Sequence, residues 1–161
     1  MGVCPQFDIL YDDLTVEEHL ELFGVFKGCN RDTMLEDIKK LILELGLLEK
    51  TDELSKNLSG GQKRRLSTGI AFIGNSKFIV LDEPTSGMDT SARRNIWEIL
   101  KNLKNDKIIL LTTHFMDEAD YLGDRIAIMS QGKLRCLGSS VYLKNKFGAG
   151  YNLTIVKKQQ E

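Results

Sequence analysis

Three short runs of residues could do phosphate chemistry. The first is Leu81-Asp82-Glu83-Pro84, two adjacent acids directly after the apolar run Phe78-Ile79-Val80-Leu81. Carboxylates beside a buried strand are costly unless they serve a cation or a reaction. Ligands of open α/β sheets bind at the carboxyl ends of strands. Neighbouring side chains there point different ways, so the two acids can take separate jobs. Asp82 can hold Mg²⁺ through a water. Glu83 can polarise a water for attack on a phosphate, as general base or positioning group. An acidic, solvated turn after a strand is the plainer reading of the same four residues.

The second run is Leu58-Ser59-Gly60-Gly61-Gln62 at a helix start. Two glycines let the backbone approach a ligand, and the free N–H groups of the first helical turn attract anions. The Ser59 hydroxyl adds a donor, although Ser59 as a simple helix cap fits equally well. The third is Thr112-Thr113-His114, which ends a second apolar run. Adjacent parallel strands would bring His114 beside Glu83, where an imidazole can donate to a γ-phosphate and orient the attacking water. A satisfied histidine at the sheet rim is the alternative. Ser86-Gly87-Met88-Asp89 reads as a tight turn whose Asp89 can cap the next helix. Gln6 alone carries little information, and Lys63-Arg64-Arg65 reads as a solvated helix face beside an anion site. His19 falls within a helix and is read as structural.

These groups need a scaffold. Thr15-Val16-Glu17-Glu18 has the form of a capping box and predicts a helix to about Phe26. Leu35, Ile38, Ile42 and Leu45 recur at helical spacing, with Gly46 as the stop. Asn57 to Gly61 is a polar turn, after which Leu66, Ile70 and Ile73 share a helical face. Phe78 to Leu81 and Ile108 to Thr112 are unalternated apolar runs, as expected of strands buried on both faces of a parallel sheet. Ile96, Ile99, Leu100 and Leu103 mark the helix between them and complete a βαβ unit. Arg125 to Met129 turns at Gln131-Gly132 into Lys133 to Leu137, a hairpin expected at the sheet edge. The fold class is α/β with a mainly parallel sheet.

Composition narrows the partners. With 22 basic against 23 acidic residues, the net charge of −1 offers no electrostatic case for nucleic acid. Cys4, Cys29 and Cys136 are widely spaced and form no CxxC or Cys/His cluster, so neither disulfides nor a zinc site are expected. A reducing compartment fits. The apolar runs are far shorter than the ~20 residues of a spanning helix. Asp8, Asp12 and Asp13 interrupt any apolar core of a signal peptide.

The order of motifs resembles the ATP-binding cassette (ABC) domain of ABC transporters. Gln6, Leu58 to Gln62, Phe78 to Glu83, Ser86 to Asp89 and His114 resemble its Q-loop, signature motif, Walker B strand with catalytic glutamate, D-loop and H-loop. The likeness spans nearly the whole chain. Gly2-Val3-Cys4-Pro5-Gln6, Leu14 to His19, Met116 to Asp120, Gly123 to Ile128, Gly138-Ser139-Ser140 and Gly150-Tyr151 resemble subfamily A in particular. The resemblance implies a P-loop NTPase-like α/β fold, divided into a helical signature region over about 12–75, an α/β core over 76–138 and a tail over 139–161.

It further implies ATP and Mg²⁺ as cofactors. Asp82 and Gln6 would serve the metal, and Glu83 and His114 the hydrolysis. Ser59, Gly60, Gly61, Gln62 and Asp89, with Gln6, would contact nucleotide. The implied partners are a second ABC ATP-binding domain, docked head to tail, and transmembrane domains at the cytoplasmic face of a membrane. Lipid is the implied cargo.

One part of the pattern is missing. No G-x-x-x-x-G-K-[ST] run occurs, and Gly69 and Gly74 are followed by Asn75-Ser76 rather than Lys-Ser/Thr. The chain is therefore read as N-terminally truncated and expected to be inactive alone. A soluble ABC-type ATPase and a non-catalytic fragment lending its signature motif in trans are the alternatives.

Overall fold

The computed structural model describes residues 1–148 and 150. It divides into two compact units, Met1–Glu118 and Ala119–Glu161. In the first, β1 (Gly2–Cys4), β2 (Phe78–Asp82) and β3 (Ile108–Thr112) form a parallel sheet in that order. Cys4 pairs with Leu81, Leu81 with Leu111, and Asp82 with Thr112. The register thus aligns the carboxyl ends of all three strands.

Four helices accompany this sheet: α1 (Val16–Phe26), α2 (Arg31–Glu44), α3 (Gly60–Phe72) and α4 (Thr90–Leu103). Thr15 and Glu18 form the expected capping box at the start of α1, each side chain bonding the other's backbone N–H. Helix α2 ends in a Schellman motif, with the N–H of Leu47 on the Ile42 carbonyl and that of Gly46 on the Leu43 carbonyl. Gly46 supplies the left-handed φ of 63° that this stop needs. The buried stripe of α2 is Met34, Ile38, Leu41 and Ile42. Leu35, expected inside, is exposed. It shares the angular position of Ile42 but lies near the helix start. There Met34 fills the space instead, so close to Gly24 that a Cβ on Gly24 would lie 2.9 Å from the Met34 sulfur. Helix α4 buries Ile96, Trp97, Ile99, Leu100 and Leu103, and β2–α4–β3 is the βαβ unit that the pattern predicted.

Helix α3 is the centre of the unit. From Leu66 to Phe72 every residue is buried. Its small side chains, Ser67, Thr68 and Ala71, let the sheet come close: a Cβ on Gly2 would lie 1.8 Å from the Ala71 carbonyl oxygen. Lys27 closes the far end, its Nζ donating to the carbonyls of Ile70, Ala71 and Ile73. A cation there also suits the negative end of the helix dipole.

The sheet is buried on one face only. Ile79 and Leu81 are inaccessible, whereas Val3, Phe78, Ile108 and Leu110, on the opposite face, are exposed. The expectation that both runs are buried on both faces therefore fails, most clearly for β3. Among the described residues, that strand lies at an edge and has a single neighbour.

The boundary between the units falls within α5 (Met116–Leu122). In the second unit, β4 (Ile126–Ser130) and β5 (Lys133–Gly138) form the predicted hairpin. Gln131 and Gly132 both take positive φ, 52° and 68°, as a tight two-residue turn requires. The hairpin is not an edge of the parallel sheet as expected. It forms a separate two-stranded sheet, the turn at Gln131-Gly132 pairing its two strands with each other. Helix α6 (Ser140–Phe147) follows, capped by Ser139 and tied to Asp120 through Lys144 at 2.7 Å. The cysteines at 4, 29 and 136 are free, as expected. Tyr151, part of the subfamily pattern, lies outside the described residues. No described helix is long and apolar enough to cross a membrane.

Candidate functional site

Strand β2 ends at Asp82, and the chain then takes a left-handed turn at Glu83, where φ is +44°. For a residue with a Cβ this costs about 1–3 kcal/mol and needs support from its surroundings. The support is specific. The Glu83 N–H donates to the Thr112 carbonyl at 3.1 Å, and the Glu83 carbonyl accepts from Arg64 Nη2 at 3.0 Å. The turn swings the Glu83 side chain away from the direction a continued strand would give it.

The carboxylate then meets two of the residues expected beside it. Gln6 Nε2 donates to Glu83 Oε2 at 3.1 Å. His114 Nδ1 lies 3.2 Å from Glu83 Oε1. Gln6 follows β1 and His114 follows β3, so the strand order brackets Glu83 between them. A carboxylate only accepts, so the proton in the second pairing belongs to His114 Nδ1. A further donor from His114 Nε2 would require the doubly protonated ring. Both Glu83 and His114 keep some solvent access, 28% and 55% for their side chains. Water can therefore reach the pair.

Asp82 occupies a different position. Its Oδ1 accepts from Thr112 Oγ1 at 2.5 Å. A metal ion would then be met by Oδ2. Among the described residues no three His, Cys, Asp or Glu side chains gather into a metal cage. Mg²⁺ rarely uses one: one or two carboxylates plus phosphate oxygens are its usual set. Asp82 and the amide oxygen of Gln6 fit that requirement.

The glycine-containing run sits at the N-terminus of α3. Ser59 Oγ accepts the Gln62 N–H at 3.3 Å, and Gln62 Oε1 accepts the Ser59 N–H at 2.8 Å, a complete capping box. Gly60 and Gly61 are the first residues of the helix, and nothing lies within 4 Å of where their Cβ atoms would be. Asp89 caps α4, accepting the N–H groups of Ser91 and Ala92 at 2.9 Å each. Between these caps lies an open cavity of about 300 Å³, lined in part by Gln6, Asp8, Gly60, Gly61, Arg64 and Asp89. Gln6 borders both this cavity and Glu83. Ser59 and Gln62 face each other rather than the cavity.

Two contributors escaped the sequence. Arg64, expected on a solvated face, is 5% exposed. The reason is its position one turn before Thr68 on the face of α3 that packs on the sheet. Thr68, wholly buried, bonds back to the Arg64 carbonyl at 2.9 Å. The run of small residues at 67, 68 and 71 was the available signal. The second is Glu118, fully buried. Its Oε1 accepts from Thr85 Oγ1 and Trp97 Nε1, both at 2.8 Å. This links the helix after His114 to the turn after Glu83.

Comparison with known proteins agrees with this architecture. The family model described as "ABC transporter" matches residues 1–86. "Phospholipid-transporting ATPase ABCA3" of Rattus norvegicus is 55% identical over 158 residues, covering 98% of this chain and 9% of that protein. "ATP-binding cassette sub-family A member 17" of Rattus norvegicus is 54% identical over 157 residues, with 98% and 9% covered. "ABC transporter A family member 6" of Dictyostelium discoideum is 54% identical over 158 residues, with 98% and 10% covered. A solved structure, "Structure of ATP binding subunit of ABC transporter", superposes with a TM-score of 0.77 at 26% identity, covering 91% of this chain and 62% of that one. The fold is thus the P-loop NTPase-like α/β fold of an ABC ATP-binding domain. The chain belongs to the ABC transporter family and is similar over nearly its whole length to subfamily A members. It spans 9% of the length of the ABCA3 protein it matches.

Proposed function

We propose that this chain hydrolyses ATP as part of a complete subfamily A transporter and so drives transport of a lipid across a membrane. The observation that carries the reading is the Glu83 carboxylate, held between Gln6 and His114 at the carboxyl end of β2. Glu83 accepts a proton from the attacking water, and His114 holds that water and the γ-phosphate in line. Asp82 and Gln6 hold the metal. Bound Mg-ATP supplies the transferable phosphoryl group and the charge neutralisation around it.

Ser59, Gly60 and Gly61 present backbone and hydroxyl donors to the γ-phosphate of ATP held by a second, opposed domain. Gln62 keeps that helix start in shape through its bond to Ser59. Asp89 forms part of the facing surface. The domain pair closes on ATP and reopens after hydrolysis, because nucleotide binds the closed state better. The segment after Gln6 transmits this motion to transmembrane domains, which places the chain at the cytoplasmic face. The phospholipid named for the ABCA3 relatives supports lipid as cargo.

The test is Glu83→Gln in the complete protein, reconstituted in lipid. Turnover is expected to fall by about 10² or more, the usual contribution of a general base. ATP binding, followed by a photoreactive analogue, should persist. Near-normal turnover would remove Glu83 from this role.

A further inference from the structure

We propose that Arg64 is a positioning residue that locks the signature helix to the hydrolytic turn, so that one side chain sets the geometry of both. The proposal rests on the reading of Glu83 as the group that activates water. The guanidinium is buried and its partners come from two separate segments, neither of them its own helix. On the turn after β2 it donates to the carbonyls of Asp82 at 3.0 Å, Glu83 at 3.0 Å and Pro84 at 2.7 Å. On the segment around Gln6 it donates to the Pro5 carbonyl at 2.6 Å and to Asp8 Oδ1 at 3.0 Å. Its own backbone belongs to α3, one turn after Gly60.

A buried cation must be paired and hydrogen-bonded or it destabilises the fold. These acceptors match the planar fork of donors that a guanidinium presents. Lysine could not satisfy them, because an ammonium offers three donors from one point. The choice of acceptors points beyond packing. Three are consecutive carbonyls of the strained turn, and the middle one belongs to Glu83, whose φ of +44° needs such a hold. The other two flank Gln6, which itself bonds the Glu83 carboxylate. Arg64 therefore fixes Glu83 from the backbone side and Gln6 from either side along the chain. Because it is rooted in α3, any rotation of that helix displaces the same turn. In the opposed pair of domains, Gly60 and Gly61 serve one nucleotide and Glu83 the other. Arg64 thus joins the two sites mechanically.

The test compares wild type and Arg64→Lys in the complete protein in lipid. The expected result is a fall in kcat of about tenfold or more, as for reacting groups misplaced by an ångström or less. KM for ATP should stay within about twofold, since the hydrogen bonds removed by the substitution hold the turn and not the nucleotide. An unchanged kcat would overturn the proposal, as would a rise in KM with kcat retained. If the lysine variant does not fold, Asp8→Asn decides. It removes one charged partner, and a smaller fall in kcat at constant KM is expected, whereas wild-type kcat would overturn the proposal. If the wild-type protein itself hydrolyses no ATP, the functional reading fails separately. Arg64 is then judged by amide hydrogen exchange in this chain. Arg64→Lys should speed exchange at Glu83, whose N–H bonds the Thr112 carbonyl, and at Ser86, whose N–H bonds the Glu83 carbonyl, and leave α1 unaffected. Unchanged exchange at both amides would end the proposal.

Discussion

Glu83 and His19 show how differently a polar residue can be held. Glu83 is strained, partly solvated and met by two side chains from other segments, as reactive groups commonly are. His19 is fully buried and satisfied by its own neighbourhood. Its Nδ1 donates to the Thr15 carbonyl at 2.7 Å, and its Nε2 accepts the Tyr11 N–H at 2.9 Å. That pairing uses the neutral ring, and burial pushes the imidazole below its ordinary value of 6.5. The unfolded chain then binds a proton more readily than the folded one. Stability is fully present above pH 6.5 and falls as pH drops below it. The urea midpoint should therefore decline between about pH 7.5 and about pH 5.5, with a shallower slope in His19→Gln. Equal slopes would mean that His19 protonates without cost. The plain structural reading of His19 from sequence holds, and the bonds explain it.

At the scale of elements, caps and the apolar helix faces were legible, but the coverage of the sheet and the closeness of its packing were not. Thr15 with Glu18, and Ser59 with Gln62, sit at the helix starts that their spacing indicates. Capping is local, so four residues suffice to specify it. The closeness of α3 to β1 is not local. Gly2 and Ala71 lie far apart in sequence, yet only a hydrogen at Gly2 leaves room for the Ala71 carbonyl. Gly2→Ala should lower stability by about 1–3 kcal/mol, the usual cost of overpacking where backbone must move. Thermal unfolding checks this, with Val3→Ala on the exposed face as a control that should change little. Parity between the two variants would show that β1 can shift freely. The misreading of β3 has a related cause. An apolar run looks the same whether one face or both are covered, and coverage depends on elements elsewhere.

For the whole molecule, the decisive fact is the absence of a G-x-x-x-x-G-K-[ST] run from all 161 residues. That loop gives a nucleotide its main backbone cradle and a lysine. On the proposed reading, what the chain does carry, Asp82, Glu83, Gln6 and His114, would act on a phosphate already held. Calorimetry on the 161-residue chain should therefore detect no saturable Mg-ATP binding tighter than about millimolar. Micromolar binding would show that the groups present suffice. The same division of labour fits the proposed pairing with a second domain: the helix start at Gly60 is open to an outside ligand, while Glu83 faces Gln6 and His114 of its own domain.

The sequence by itself determined the α/β class, the capped starts at Thr15, Ser59 and Asp89, the hairpin turn and the meeting of Glu83 with His114, while Gln6 entered only through the family resemblance. Each depends on short-range rules or on strand order, and the parallel register then brings His114 to Glu83 as adjacent strands must. Only the tertiary structure decided that Arg64 lies inside, that Leu35 and β3 face outward, and that the hairpin forms its own sheet. A charged residue is read as solvated unless its acceptors are known. Here those acceptors are backbone carbonyls at 5, 82, 83 and 84, groups that every residue type carries and no side-chain pattern reveals.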